Sequence, residues 1–190
     1  MLRSQLLSIN KKVEIDMTRQ QDPLTMDFLL LGIIDQQPTH AYDLYKQLTS
    51  SEDLKTIWTF KQSRLYAVLD KIERNGLIST TIDQNETLPV RKTCTLTNEG
   101  KKVFEEWLHS PAAHMNEIRS DFLGKLYFLK DRPKEERRQV LDMQKHRCET
   151  WLGSIEKKLS EHPDSDDYLH TVYSFRAEFI RSTLRWLESL

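Results

Sequence analysis

Cysteine and glycine are both scarce in this chain of 190 residues, and each shortage closes off a class of chemistry. The two cysteines, Cys94 and Cys148, stand in neither metal-like nor disulfide-like spacing, which argues against a zinc module and against a disulfide-stapled secreted domain. The five glycines are scattered and supply no Gly-rich loop to cradle a phosphate. No run approaches the ~18 apolar residues of a membrane span. The N-terminal stretch MLRSQLLSINKKVEIDMTRQQDP lacks the apolar core and small-residue cleavage site of a secretory signal, so the expected location is the cytoplasm. Catalytic arrangements are missing too: no Ser/His/Asp, Cys/His or paired-carboxylate set has usable spacing, so no enzyme and no cofactor is expected. His109 and His114 stand five apart across Pro111, a poor ligand spacing, and no metal site is expected.

What is present is a core and an uneven charge. Hydrophobic residues make up 38% of the chain and charged residues 30%, the balance of a soluble protein with long helices. A chain of this size hides roughly 70% of its unfolded surface on folding, enough for one domain with a helical annex. The net charge is only −1, yet residues 55–80 hold five basic against two acidic residues and residues 87–102 hold four against one. Positive charge gathered in one third of a neutral chain marks a candidate nucleic-acid footprint, although a merely solvated helix face gives the same count.

Residues 1–22 are polar without sustained periodicity and are expected to be a flexible N-terminal extension. MDFLLLGII (26–34) then forms a buried helix that Pro38 interrupts, with Thr39 as N-cap of a second helix carrying Ala41, Leu44, Tyr45 and Leu48 on one face. A polar loop, SSEDLKTIW, leads to a third helix, which Thr59 and Gln62 start as a capping box and Asn75-Gly76 ends. Leu65, Val68, Leu69 and Ile72 give this helix a clean inward stripe, while Ser63, Ala67, Asp70 and Arg74 face the other way. LISTTID and PVRKTCTLT follow as a hairpin, with Ile78, Ile82, Cys94 and Leu96 on its buried side. Thr97 caps a fourth helix that buries Val103, Phe104, Trp107 and Leu108. The remainder is helical: a segment with Ile118, Phe122, Leu126 and Leu129 in register, a long charged helix over 133–161, and a last helix over 168–190. Cys148, Leu152, Ile155 and Leu159 form a short coiled-coil-like seam, and the last helix has an apolar stripe wide enough for two partners.

Three helices followed by a hairpin is the order of a winged helix-turn-helix, so the fold class is mainly α with a small β-wing and a C-terminal helical domain. The third helix then offers Lys61, Gln62, Ser63, Arg64 and Tyr66 to a duplex, its small outward residues permitting close entry into the major groove. Arg91 and Lys92 at the wing lie beside the backbone or minor groove. Several of these residues have a plainer reading. Gln62 either reads a base or serves as a cap, Ser63 either binds phosphate or gives clearance, and Tyr66 either meets phosphate or packs. Thr39, His40 and Tyr42 open the second helix, whose first amides suit a phosphate or need only a cap.

At HAYDLYKQL, Trp58, SRLYAVLDKIERNGLI and RKTCTLTNEGKKVFEEW the sequence resembles the PadR family of bacterial transcriptional regulators. The matching positions are His40, Tyr42, Leu44, Trp58, Ser63, Tyr66, Leu69, Ile72, Glu73, Gly76, Leu77, Ile78, Arg91, Lys92, Leu96, Thr97, Gly100 and Trp107. Departures are Ala41 for the usual glycine, Ala67 and Val68 where proline is common, and Thr93 and Cys94 where the wing often has tyrosine. The tail resembles the long-tailed subfamily that includes a phenolic-acid repressor and a virulence-gene activator. The resemblance implies a homodimer held by C-terminal helices, a palindromic operator in double-stranded DNA, and a small aromatic effector bound between winged helix and annex. The implied division is a winged-helix DNA-binding domain over 23–112 and a dimerisation and effector domain over 113–190. Trp58, Phe60, Phe122, Tyr127 and His146 are candidates for the effector pocket, packing residues otherwise. Cys148 reads as a packing residue or a redox-sensing thiol. The competing functional class is a winged-helix protein-interaction module with no DNA role.

Overall fold

The structure is a computed structural model that describes residues 23–83, 91–164 and 166–190. The expected N-terminal extension and the tip of the wing lie outside the described residues. The chain runs α1 (Pro23–Gln36), β1 (Thr39–His40), α2 (Ala41–Ser50), α3 (Glu52–Ile57), α4 (Gln62–Arg74), β2 (Ile78–Asp83), β3 (Arg91–Leu96) and α5 (Asn98–Leu108). A 3₁₀ turn (Met115–Glu117) and a π-helical turn (Ile118–Phe122) lead into α6 (Leu123–Leu129), then α7 (Lys134–Glu161) and α8 (Tyr168–Glu188). The antiparallel sheet has the order β1-β3-β2, with Thr39 opposite Cys94 and Ile78 opposite Leu96. This is the mainly helical winged-helix architecture with a C-terminal helical region that the sequence order predicts.

α4 owes its length to its stripe and its end to a Schellman motif. Leu65, Val68, Leu69 and Ile72 are buried, as their spacing requires. At the C-terminus Leu77 N donates to Ile72 O at 2.9 Å and Gly76 N to Glu73 O at 2.9 Å. Gly76 sits at φ 72°, a conformation open to a residue without Cβ. The turn delivers the chain directly into β2.

Four expectations need correction. The capping box at Thr59 does not form: α4 starts at Gln62 and its N-cap is Lys61, which makes no side-chain cap bond. Buried Trp58 and the partly buried Phe60, rings 6.4 Å apart, pin the preceding segment in extended form. Burying two aromatics is worth several kcal/mol, against about 1 kcal/mol for a cap. The loop 51–58 is largely the helix α3, whose N-cap Ser51 accepts the Leu54 amide and whose Leu54 is fully buried. Thr39 caps nothing; it pairs in β1, and its hydroxyl donates to Gln37 O at 2.8 Å. Ile82 is exposed rather than buried; it pairs with Lys92 near the far end of the described β2–β3 ladder.

Aromatic rings tie the winged helix to the annex. Trp107 of α5 stacks on Phe28 of α1, centroids 4.9 Å apart and 6° from parallel, and Phe104 meets Phe128 of α6 edge-on at 5.2 Å. Below them α7 and α8 pack along their length through Cys148, Ile155, Ala177, Ile180 and Leu187, all buried. Cys148 is thus in the seam, and Cys94 is on the covered face of the sheet. Burial raises both thiol pKa values, with Glu73 adding to the effect at Cys94. Neither site favours a thiolate, which removes the basis for redox sensing at Cys148. In a thiol titration with a disulfide reagent, both cysteines are expected to be silent in the native protein and to react together once urea unfolds it.

Candidate nucleic-acid interface

The amino end of α4 is the centre of the candidate site. Lys61 has extended backbone angles (φ −105°, ψ 132°), and Arg64 N and Leu65 N both turn back to its carbonyl at 3.1 Å. The Lys61 side chain makes no cap bond, and this terminus carries the partial positive charge of the helix dipole. Lys61, Gln62 and Ser63 are exposed there. Further along, Ala67, Asp70 and Arg74 continue the open face, and Arg74 Nε donates to Asp70 O at 3.1 Å. With the capping box gone, Gln62 is not held by Thr59, and the competition between capping and base reading disappears.

Two exposed tyrosines and the wing supply further surface groups. Tyr42, in the first turn of α2, is 64% exposed, and Tyr66 is 39% exposed. Lys92 on β3 is exposed; the Arg91 side chain lies outside the described residues. α2 likewise has an uncapped start at His40. His40 is half-buried, and its Nδ1 lies 3.2 Å from the Thr93 hydroxyl across the β1–β3 ladder, which orients the ring along the sheet. Thr39 does not belong to this surface: it is buried, with its hydroxyl spent on Gln37. Arg64 is half-buried on the flank nearer α1. The structure therefore brings Lys61, Gln62, Ser63, Tyr66, Tyr42 and Lys92 to the surface, and turns Thr39 and part of Arg64 inward.

The effector candidates occupy different places among the described residues. Trp58 lies against Gly124 of α6, where an added Cβ would come within 2.9 Å of the indole. Phe122 is buried edge-on to Trp186 of α8 at 6.4 Å, and Tyr127 packs on Phe128 with Lys130 Nζ 4.1 Å from its ring centre. These rings pack in the joint between the helices. His146 is apart from them, exposed on α7 in an open surface cavity of about 300 Å³ with Pro111, Met143, Arg147 and Thr150.

Sequence reading missed two polar clusters at the junction of α5 with the annex. His109 Nε2 lies 2.8 Å from Glu136 of α7, and Arg132 donates to Glu105 at 2.6 Å. Deeper, Lys125 is 1% exposed; its Nζ reaches Ser110 O at 2.8 Å and Asp121 at 3.1 Å. Asp121 in turn accepts the Trp107 indole N–H at 2.7 Å. The only advance signal was the i,i+4 spacing of Asp121 and Lys125, which any exposed helix shows.

Residues 30–106 match the model of the Transcriptional regulator PadR-like family, a span that holds α4, the wing and Trp107 together. These residues form a PadR-like domain. The chain is also 25% identical over 179 residues to the negative transcriptional regulator PadR of Bacillus subtilis, covering 87% of this chain and 94% of the relative. Among solved structures, B. subtilis PadR in complex with operator DNA is 22% identical and covers 86% of this chain and 95% of its own, with a TM-score of 0.44. The same protein in complex with p-coumaric acid covers 90% and 95% with a TM-score of 0.39. The domain match carries the assignment: residues 30–106 are a domain of the PadR-like transcriptional-regulator type. No described helix is long and apolar enough to cross a membrane.

Proposed function

We propose that this regulator is a repressor that binds a palindromic operator as a homodimer and releases it on binding a small aromatic effector. In this reading 23–112 is the DNA-binding part and 113–190 serves dimerisation and effector response. The observation that carries it is the start of α4, where the N-cap side chain makes no cap bond and Lys61, Gln62 and Ser63 are exposed. Base edges are met by the first residues of such a helix, and phosphates by amides and cations at its margin. Tyr42 and Tyr66 stand ready to donate to phosphate, and Lys92 extends the contact from the wing.

Dimerisation is supported by α8. Its Tyr173, Ala177, Ile180 and Leu187 side faces α7, yet Tyr168, Leu169 and Phe175 remain open to solvent. Phe175 alone is 71% exposed. A second apolar side on a terminal helix fits a twin subunit, which would set two copies of α4 on the two halves of a palindrome. Repression and an aromatic effector are carried over from the B. subtilis relative, whose PadR is named a negative regulator and is solved with p-coumaric acid.

The test is selection of bound duplexes from genomic DNA, followed by titration of the selected site over a range of salt concentrations. Lys61→Ala with Lys92→Ala is expected to weaken binding to all duplexes and to flatten the salt slope by about two units, one per lost phosphate contact. Sedimentation should still report a dimer for this variant. Wild-type protein that shows no salt-dependent binding to any duplex would overturn the proposal and favour a protein-interaction module.

A further inference from the structure

Asp27 is a carboxylate in a place that stability alone does not favour. It lies on α1 under α4 and is 7% exposed. Its Oδ2 accepts from Lys71 Nζ at 2.5 Å, whereas its Oδ1 is buried with no hydrogen-bond partner among the described residues. Burial pushes its pKa up, opposed by the hydrogen bond and charge of Lys71 and by the charge of Arg64. A buried acceptor left unpaired is destabilising, and an apolar residue would serve the α1–α4 contact better.

What the carboxylate does accomplish is local to α4. Arg64 and Lys71 are seven residues apart, and at 100° per residue they project from nearly the same side of the helix. That side is the flank toward α1, about a quarter-turn away from the open face of Ser63, Ala67 and Arg74. Both cations are half-buried, unlike Lys61 at the helix start.

We propose that Asp27 is a positioning residue for DNA binding: its carboxylate holds Lys71, with Arg64 beside it, on the protein side of the recognition helix and so withholds these cations from the phosphate backbone. Phosphate contacts add affinity for every sequence alike. Withholding two of them lowers binding to bulk DNA and leaves discrimination to the open face and the helix start. The inference rests on the DNA-binding reading above.

The experiment measures log K against log salt for the selected operator and a random duplex, with wild type, Asp27→Asn, Asp27→Ala and the double variant Asp27→Asn/Lys71→Met. Circular dichroism establishes that each is folded; the Lys71 side chain is 39% exposed, so its ammonium can turn to solvent once the carboxylate is gone instead of staying buried and unpaired. Both single variants are expected to steepen the slope by about one unit per released cation. The random duplex should gain more affinity than the operator, narrowing the ratio between them. Adding Lys71→Met to the Asp27→Asn variant should take back about one unit. A folded neutral variant with the wild-type slope overturns the proposal, as does a steepened slope that Lys71→Met leaves untouched. Wild-type protein without salt-dependent duplex binding sinks the DNA-binding reading instead, so the two failures are distinguishable.

Discussion

Replacing Asp121 by alanine is expected to cost about 3–5 kcal/mol, a large part of the total stability of a domain. The residue sits in the π-helical turn and balances two buried groups at once. One of its oxygens accepts the Trp107 indole N–H at 2.7 Å, and the other lies 3.1 Å from the Lys125 ammonium. Alanine leaves the indole without an acceptor and the ammonium with only the Ser110 carbonyl and hydroxyl. The effect also has a pH signature. Burial lowers the Lys125 pKa, and the charge and hydrogen bond of Asp121 draw it partly back. The folded state thus holds this proton less firmly than the unfolded chain, so stability rises with pH between the folded value and the ordinary lysine range. Without Asp121 the folded value falls further, the window opens at lower pH, and the deficit against wild type shrinks as pH is raised. Urea denaturation of both proteins across neutral and alkaline pH reads both quantities. A loss under about 1 kcal/mol, or a deficit that widens with pH, would show that the pair is incidental.

This network also marks the limit of what the sequence made legible. The stripe of α4, its Asn75-Gly76 end, the Thr97 cap and the α7–α8 seam are all local, written within a few turns or a few residues, and each is present in the structure. β1 escaped because two residues cannot display an alternation, and α3 because six residues fall short of two turns. Its signals were nonetheless there: Ser51 as cap, Glu52 and Asp53 in the first turn, Lys55 in the last. The start of α4 was misplaced because a capping box is recognisable in sequence, whereas the burial of Trp58 against Gly124 is not. Asp27 and Lys71 are 44 residues apart, and Lys125 and Ser110 are 15, so their pairing depends on how helices cross. The exposed residues at the front of α4 were found because helical periodicity alone decides which side faces out. That Arg64 is half-buried, a quarter-turn from the open face, becomes visible only once α1 is in place.

The Leu-Thr-x-x-Gly segment after the wing leads to the other large effect. Gly100 is in the first turn of α5, and a Cβ there would lie 2.0 Å from the Leu77 carbonyl oxygen and 2.8 Å from its carbon. That carbonyl cannot retreat. It accepts the Thr97 amide and the Thr97 hydroxyl, both at 3.0 Å, while Leu77 N closes the Schellman motif on Ile72. Thr97 spends the same hydroxyl as cap on Gly100 N at 3.0 Å. One corner therefore joins the end of α4, the start of β2 and the start of α5, and it closes only around a residue without a side chain. Gly100→Ala is expected to cost about 3 kcal/mol, the upper end of overpacking, and to lower the melting temperature by about 10 °C. Gly153, in the middle of α7 with nothing within 4 Å of an added Cβ, is the matched control. There alanine is expected to raise stability by about 0.5–1 kcal/mol through helix propensity. The opposite signs separate a steric demand from a general intolerance of change. The corner also fixes the angle between α4 and the wing, so whatever Gly100→Ala protein remains folded should bind its duplex more weakly than its folded fraction accounts for. Equal melting temperatures for Gly100→Ala and wild type would mean that Leu77 yields, and that the corner does not set the geometry of the DNA-facing surface.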